Sequence, residues 1–110
     1  MIDLNIHVEI SPIHRQEFLQ TAMDVVKKAR NVKGCKHSQL QRDMENENKY
    51  EIETAWETKD NMIQYISSQS FGVLLGAMKF LSNSYNINLN EKTYAGGDEV
   101  ISDIRNQFMK

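Results

Sequence analysis

Positions 2 to 10 alternate strictly, with Ile2, Leu4, Ile6, Val8 and Ile10 apolar and Asp3, Asn5, His7 and Glu9 polar. A period of two predicts a strand with one face buried. Ser11-Pro12 follows and suits the start of a helix, because proline has no N–H to leave unbonded in the first turn. Phe18, Leu19, Ala22, Met23, Val25, Val26 and Ala29 then recur at helical spacing, with Arg15, Gln16, Lys27 and Lys28 left for solvent. Gly34 suits the stop after the basic last turn. Cys35 to Arg42 and Lys49 to Glu57 flank a polar connection, residues 43 to 48, and predict two antiparallel strands, the first weakly apolar and suited to an edge.

Thr58 is placed to cap a helix beginning near Lys59, with Met62, Ile63, Tyr65 and Ile66 as its apolar side. Ser67-Ser68 breaks it, and from Ser70 a second helix carries Phe71, Leu74, Leu75, Met78 and Leu81 on one stripe. Tyr85 to Asn90 alternates as a fourth strand. Gly96-Gly97 reads as a joint, and Asp98 as the cap of a last helix with Val100, Ile101, Ile104 and Phe108 on one side. Gly72 and Gly76, four apart in an apolar helix, each cost about 1 kcal/mol relative to alanine, which implies a close approach by some other group.

The predicted fold class is therefore α+β, a ferredoxin-like β-α-β-β-α-β arrangement in which a four-stranded antiparallel sheet carries its helices on one face. Residues 1–95 form the domain and 96–110 a C-terminal helical extension. The uncovered sheet face carries Asn5, His7, Glu9, Asn86 and Asn88, with Glu51 and Glu53 between them, and is suited to water or to a second copy.

Composition narrows the partners. The 110 residues leave room for one core. Thirteen basic against fifteen acidic residues give a net charge of −2, which predicts neither a nucleic acid nor a membrane-surface partner. No run of about 18 apolar residues occurs, and the N-terminus lacks the pattern of a secretion signal. The single Cys35 can form no internal disulfide, so a cytoplasmic setting is expected. His7, His14 and His37 form no close ligand pair, and no metal site is expected.

Ala55-Trp56-Glu57-Thr58-Lys59-Asp60 followed by Tyr65-Ile66-Ser67-Ser68-Gln69-Ser70-Phe71 resembles the antibiotic biosynthesis monooxygenase family of the dimeric α+β barrel superfamily. Members typically close the third strand with Trp-Glu and enter a later helix through a Ser-Pro-His-Phe-like turn. Gly34-Cys35 is similar to the family's Gly-Cys at the second strand, and by element order the resemblance covers roughly residues 2 to 90. It implies a homodimer whose two sheets face each other as a barrel, and oxidation of phenols, quinols or related aromatics by O2 without flavin, metal or haem. The family's histidine before the phenylalanine is Ser70 here, its proline is Gln69, and Tyr65 stands where a histidine is frequent. A haem-degrading branch has a ligand histidine on the later helix, where this chain has Leu75. That branch also uses a first-strand asparagine, matched by Asn5 or, one register step away, His7.

The expected function is a cofactor-independent monooxygenase acting on a small aromatic, phenol or quinol, with Trp56, Phe71, Asn5 and Ser70 as substrate-binding residues. Tyr65 or His7 would transfer the proton. Each residue also has a plain structural reading: Trp56 as core, Tyr65 as a packed helix ring, His7 as an interface hydrogen-bonding group. Two other functions fit the same fold, a non-catalytic small-ligand-binding or stress-associated dimer and an isomerase using the same pocket without O2.

Overall fold

The computed structural model describes residues 1–90 and 98–108, and the side chains of all these except 98–100 and 108. The elements run β1 (Ile2–Glu9), α1 (Pro12–Ala29), β2 (Cys35–Arg42), β3 (Lys49–Trp56), α2 (Lys59–Ile66), α3 (Gln69–Leu81), β4 (Ser84–Asn90) and α4 (Asp98–Phe108). The expected joint at Gly96-Gly97 and the domain boundary at 95/96 lie outside the described residues, as do the side chains of Asp98, Val100 and Phe108.

The strands form one antiparallel sheet in the order β2-β3-β1-β4, the ferredoxin-like arrangement that the alternation predicts. β1 lies inside the sheet, paired along one edge with β3 and along the other with β4. Its apolar set, Ile2, Leu4, Ile6 and Val8, is buried and continues into Ile10, each such side chain contributing about 1.5–3 kcal/mol. The edges are guarded by composition, with Lys36, Gln41 and Arg42 on β2 and Asn86, Asn88 and Asn90 on β4, all exposed.

Between β2 and β3 the chain turns on side chains. Asp43 Oδ1 accepts from the backbone N–H groups of Glu45 and Asn46, and Asn46 Oδ1 from that of Asn48, the local bonding that favours Asp and Asn in turns. α1 buries Phe18, Ala22, Val25, Val26 and Ala29 against the sheet, leaving Leu19 half-buried and Met23 exposed at the margin of the predicted stripe. Its first turn relies on Pro12, since Ser11 makes no side-chain cap.

Gly34 is left-handed at φ 86°, and a Cβ there would overlap the Asn61 side chain. Gly34→Ala therefore meets both backbone strain and a clash, and is expected to lower stability by about 1–3 kcal/mol. A urea midpoint unchanged from the parent would contradict this. The constraint matters for the site, because Gly34 O accepts from Glu57 N at 2.7 Å and so ties the start of β2 to the end of β3, where Trp56 sits.

Candidate functional site

Trp56 ends β3 on the helix-covered side of the sheet, opposite Ile2 on one flank and Cys35 on the other. Its indole is held from beneath. Nε1 donates to Thr54 Oγ1 at 3.0 Å, and that hydroxyl donates in turn to the Leu4 carbonyl at 3.1 Å. A threonine in the otherwise apolar series Tyr50, Ile52, Thr54, Trp56 is the sequence signal for this contact, which pattern reading passed over. The hydroxyl satisfies a buried N–H that would otherwise go unbonded, at a cost of about 1–3 kcal/mol.

α2 brings Tyr65 onto the indole. The two ring centroids lie 4.6 Å apart in a stacked arrangement, and Phe71 of α3 meets Tyr65 edge-on at 5.3 Å. The Ser67-Ser68 break makes this possible. Ser68 Oγ donates to the Tyr65 carbonyl at 2.6 Å and accepts from Phe71 N at 3.2 Å, closing one helix and capping the next with a single side chain. α3 consequently begins at Gln69, one residue earlier than the apolar stripe suggests.

The three aromatic residues are enclosed, with relative exposures of 0% for Trp56, 3% for Tyr65 and 0% for Phe71. Enclosure sets the chemistry of the phenol. Burial pushes the Tyr65 hydroxyl well above its ordinary range, and charge on the neighbouring Cys35 would push it the same way, so Tyr65 stays protonated at neutral pH and presents a hydrogen-bond donor rather than an anion. Burial likewise pushes the Cys35 thiol up, against smaller opposing effects of the His37 backbone and the nearby Arg30. A protonated cysteine is a small hydrophobe and a weak nucleophile.

The remaining candidates lie elsewhere. Ser70 is half-buried in the first turn of α3. Asn5 and His7 are on the opposite sheet face, alternating with the buried residues of β1. There the strand register sets up rows, Asn88-Asn5-Glu53-Gln39 and Asn86-His7-Glu51-Gln41. His7 Nε2 approaches Glu51 Oε2 at 3.6 Å, and His37 Nε2 donates to Glu53 Oε1 at 2.8 Å. Asn5 Oδ1 is shielded from solvent and has no donor. A groove of about 590 Å³ opens on this face beside His7, Glu9, Gln41, Lys49, Glu51 and Asn86. It is separate from the aromatic cluster, so the structure brings together Trp56, Tyr65 and Phe71 but not Asn5 or His7. The groove is open and is lined by Val8, Tyr50 and Tyr85 as well as by these polar groups, whereas the cluster is closed to solvent and stacks its rings on one another.

Among the described residues no three of His, Cys, Asp or Glu converge as metal ligands, and no helix is long and apolar enough to cross a membrane.

Comparison with solved structures gives the same fold. A candidate antibiotic biosynthesis monooxygenase from Deinococcus radiodurans superposes with a TM-score of 0.78 at 17% identity, over 89% of this chain and 98% of its own. A conserved protein of Bacteroides thetaiotaomicron described as a possible oxidoreductase gives 0.76 at 16% identity, over 82% and 95%. A conserved protein of Methanosarcina mazei gives 0.76 at 18%, over 83% and 91%. No curated protein sequence matches. The family model for antibiotic biosynthesis monooxygenase matches residues 1–74, a span that begins ahead of β1 and runs through the Trp56, Tyr65 and Phe71 cluster, and the chain belongs to that family.

Proposed function

We propose that the chain is a cofactor-independent monooxygenase that oxidises a small phenol or quinol with O2 in the space now filled by Trp56, Tyr65 and Phe71. The observation that carries this reading is the Trp56-Tyr65 stack at 4.6 Å, a pair of flat rings closed off from solvent beside a protonated phenol. A ring substrate can replace a ring-ring contact at little energetic cost, since aromatic pairs contribute only about 0.5–1.5 kcal/mol beyond their burial.

In the proposed reaction the substrate ring supplies the electrons. A phenol with a free ring position takes up O2, one oxygen atom remains as a new carbonyl, and the other leaves as water. Tyr65 donates a proton to the departing oxygen and recovers one from the substrate hydroxyl. Exclusion of water protects the reactive intermediate. Asn5 and His7, on the far side of the sheet, take no part in this step, and Ser70, half-buried in the first turn of α3, has no role in it.

The test is oxygen consumption against a panel of phenols and quinols in metal-free buffer, where uptake above a blank is expected for at least one compound. No uptake across the panel would overturn the reading. A non-catalytic ligand-binding dimer is the second reading, favoured by Ser70 in place of the family's histidine and by the closed cluster. It predicts saturable binding of an aromatic compound without turnover.

The working unit is proposed to be a homodimer in a reducing, cytoplasmic setting. Helices cover a single face of the sheet, and the other face carries the rows Asn88-Asn5-Glu53-Gln39 and Asn86-His7-Glu51-Gln41, polar groups that a facing copy would hydrogen-bond. Sedimentation is expected to give twice the 12.8 kDa chain mass. A single-chain mass at high protein concentration would contradict it.

A further inference from the structure

We propose that α4 is a movable cover over the aromatic cluster, latched by Arg105 to the joint between α2 and α3, and that flat ligands reach Trp56 when it lifts. The inference rests on the reading of that cluster as the binding site and adds how the site is entered.

The latch is built from three elements. Arg105 Nη1 donates to the Ile66 carbonyl at 2.6 Å and to the Ser68 carbonyl at 3.3 Å. These residues lie between Tyr65 and Phe71, so the guanidinium spans the joint that carries both rings. α2 has no basic residue in its own last turn, and Arg105 supplies from another helix the cation that a helix C-terminus favours. On α3, Gly72 makes the room. A Cβ at that position would stand 2.6 Å from Arg105 Nη2, which identifies the close approach implied by a glycine in an apolar helix.

The cover itself is slight. Among the described side chains of α4, Ile101 and Ile104 enter the core, at 0% and 5% exposure. The helix packs on α2, the element that carries Tyr65. A helix whose described side chains hold it by two apolar groups and one guanidinium is the kind of element that opens below the free energy of global unfolding.

Gly72 and Gly76 provide a matched test. Both lie in α3, and alanine at either improves helix propensity. At Gly76 nothing lies within 4 Å of the new Cβ, whereas at Gly72 the Cβ displaces the far end of a flexible arginine. Trp56 is the only tryptophan in the chain, so acrylamide quenching of its emission reports access to the cluster without substrate. Gly72→Ala is expected to raise the quenching constant about ten-fold, the loss of roughly one charge-assisted bond, and Gly76→Ala to leave it unchanged. Arg105→Ala should match Gly72→Ala, and the double variant should add nothing. Unchanged quenching in both Gly72→Ala and Arg105→Ala, with far-UV dichroism intact, would overturn the proposal, as would equal effects of Gly72→Ala and Gly76→Ala. If quenching responds as expected while no phenol binds or reacts, the cover stands and the assignment of the cluster as a substrate site falls.

Discussion

Trp56→Ala is expected to lower the free energy of unfolding by about 3–5 kcal/mol, the range for deleting a large buried aromatic. Three losses combine. The indole is fully buried and is among the largest side chains of the core, so its removal leaves a cavity that β2, β3 and α2 would have to collapse into. The stack with Tyr65 disappears. Thr54 Oγ1 loses the N–H it accepts, although its bond to the Leu4 carbonyl remains. Trp56→Phe keeps a ring for Tyr65 and should recover roughly half of the deficit. Urea denaturation of the three proteins measures this, and a Trp56→Ala loss under about 1 kcal/mol would show that the cluster is looser than its geometry implies.

Tyr65→Phe is expected to lower turnover by about 10²–10⁴-fold on any phenol the protein oxidises, the usual contribution of a positioned proton donor. Its effect on folding should be small, because the ring and both of its aromatic contacts are kept. Burial holds the Tyr65 proton in place well beyond neutral pH, so the parent should show no loss of rate from Tyr65 ionisation between pH 6 and 9, in the manner of a group with a raised pKa. His7→Ala should leave turnover unchanged, since that side chain lies across the sheet and is half exposed. Full activity in Tyr65→Phe would remove Tyr65 from the chemistry.

Much of this architecture was legible in residue order. The alternation of β1 fixes which side chains face the helices, and the placement of Asn5, His7 and Glu9 follows from it. The Ser67-Ser68 break was equally readable, because it depends on local backbone chemistry, whereas α1 stops at Ala29 with Arg30 as its cap and Gly34, expected as that stop, instead makes the left-handed turn into β2. Side-chain reach was not. Nothing in the spacing of α4 indicates that Arg105 bonds a carbonyl thirty-nine residues away, although Gly72 pointed to an intruder. The enclosure of Tyr65 also escaped pattern reading, because a helix tyrosine can lay its hydroxyl in solvent or inside with equal ease, and the choice depends on where Trp56 ends its strand.

The pairing of histidines with carboxylates across the polar face belongs to the same category. His7 meets Glu51 and His37 meets Glu53 because of the strand order and register, which no local pattern contains. Both pairs lie beside or along the face that a second copy is proposed to cover, and like the uncapped Asn5 oxygen they make that face more than inert surface.

The central claim is that flat aromatic ligands bind between the sheet and the helices, at Trp56, and not in the open groove around His7 and Glu51. Titration of the single tryptophan's emission with a naphthoquinol under nitrogen addresses it most directly. The account predicts a saturable change in Trp56 emission that survives His7→Ala. Binding that is saturable by calorimetry, leaves Trp56 emission untouched and disappears in His7→Ala would place the ligand on the other face of the sheet and contradict it.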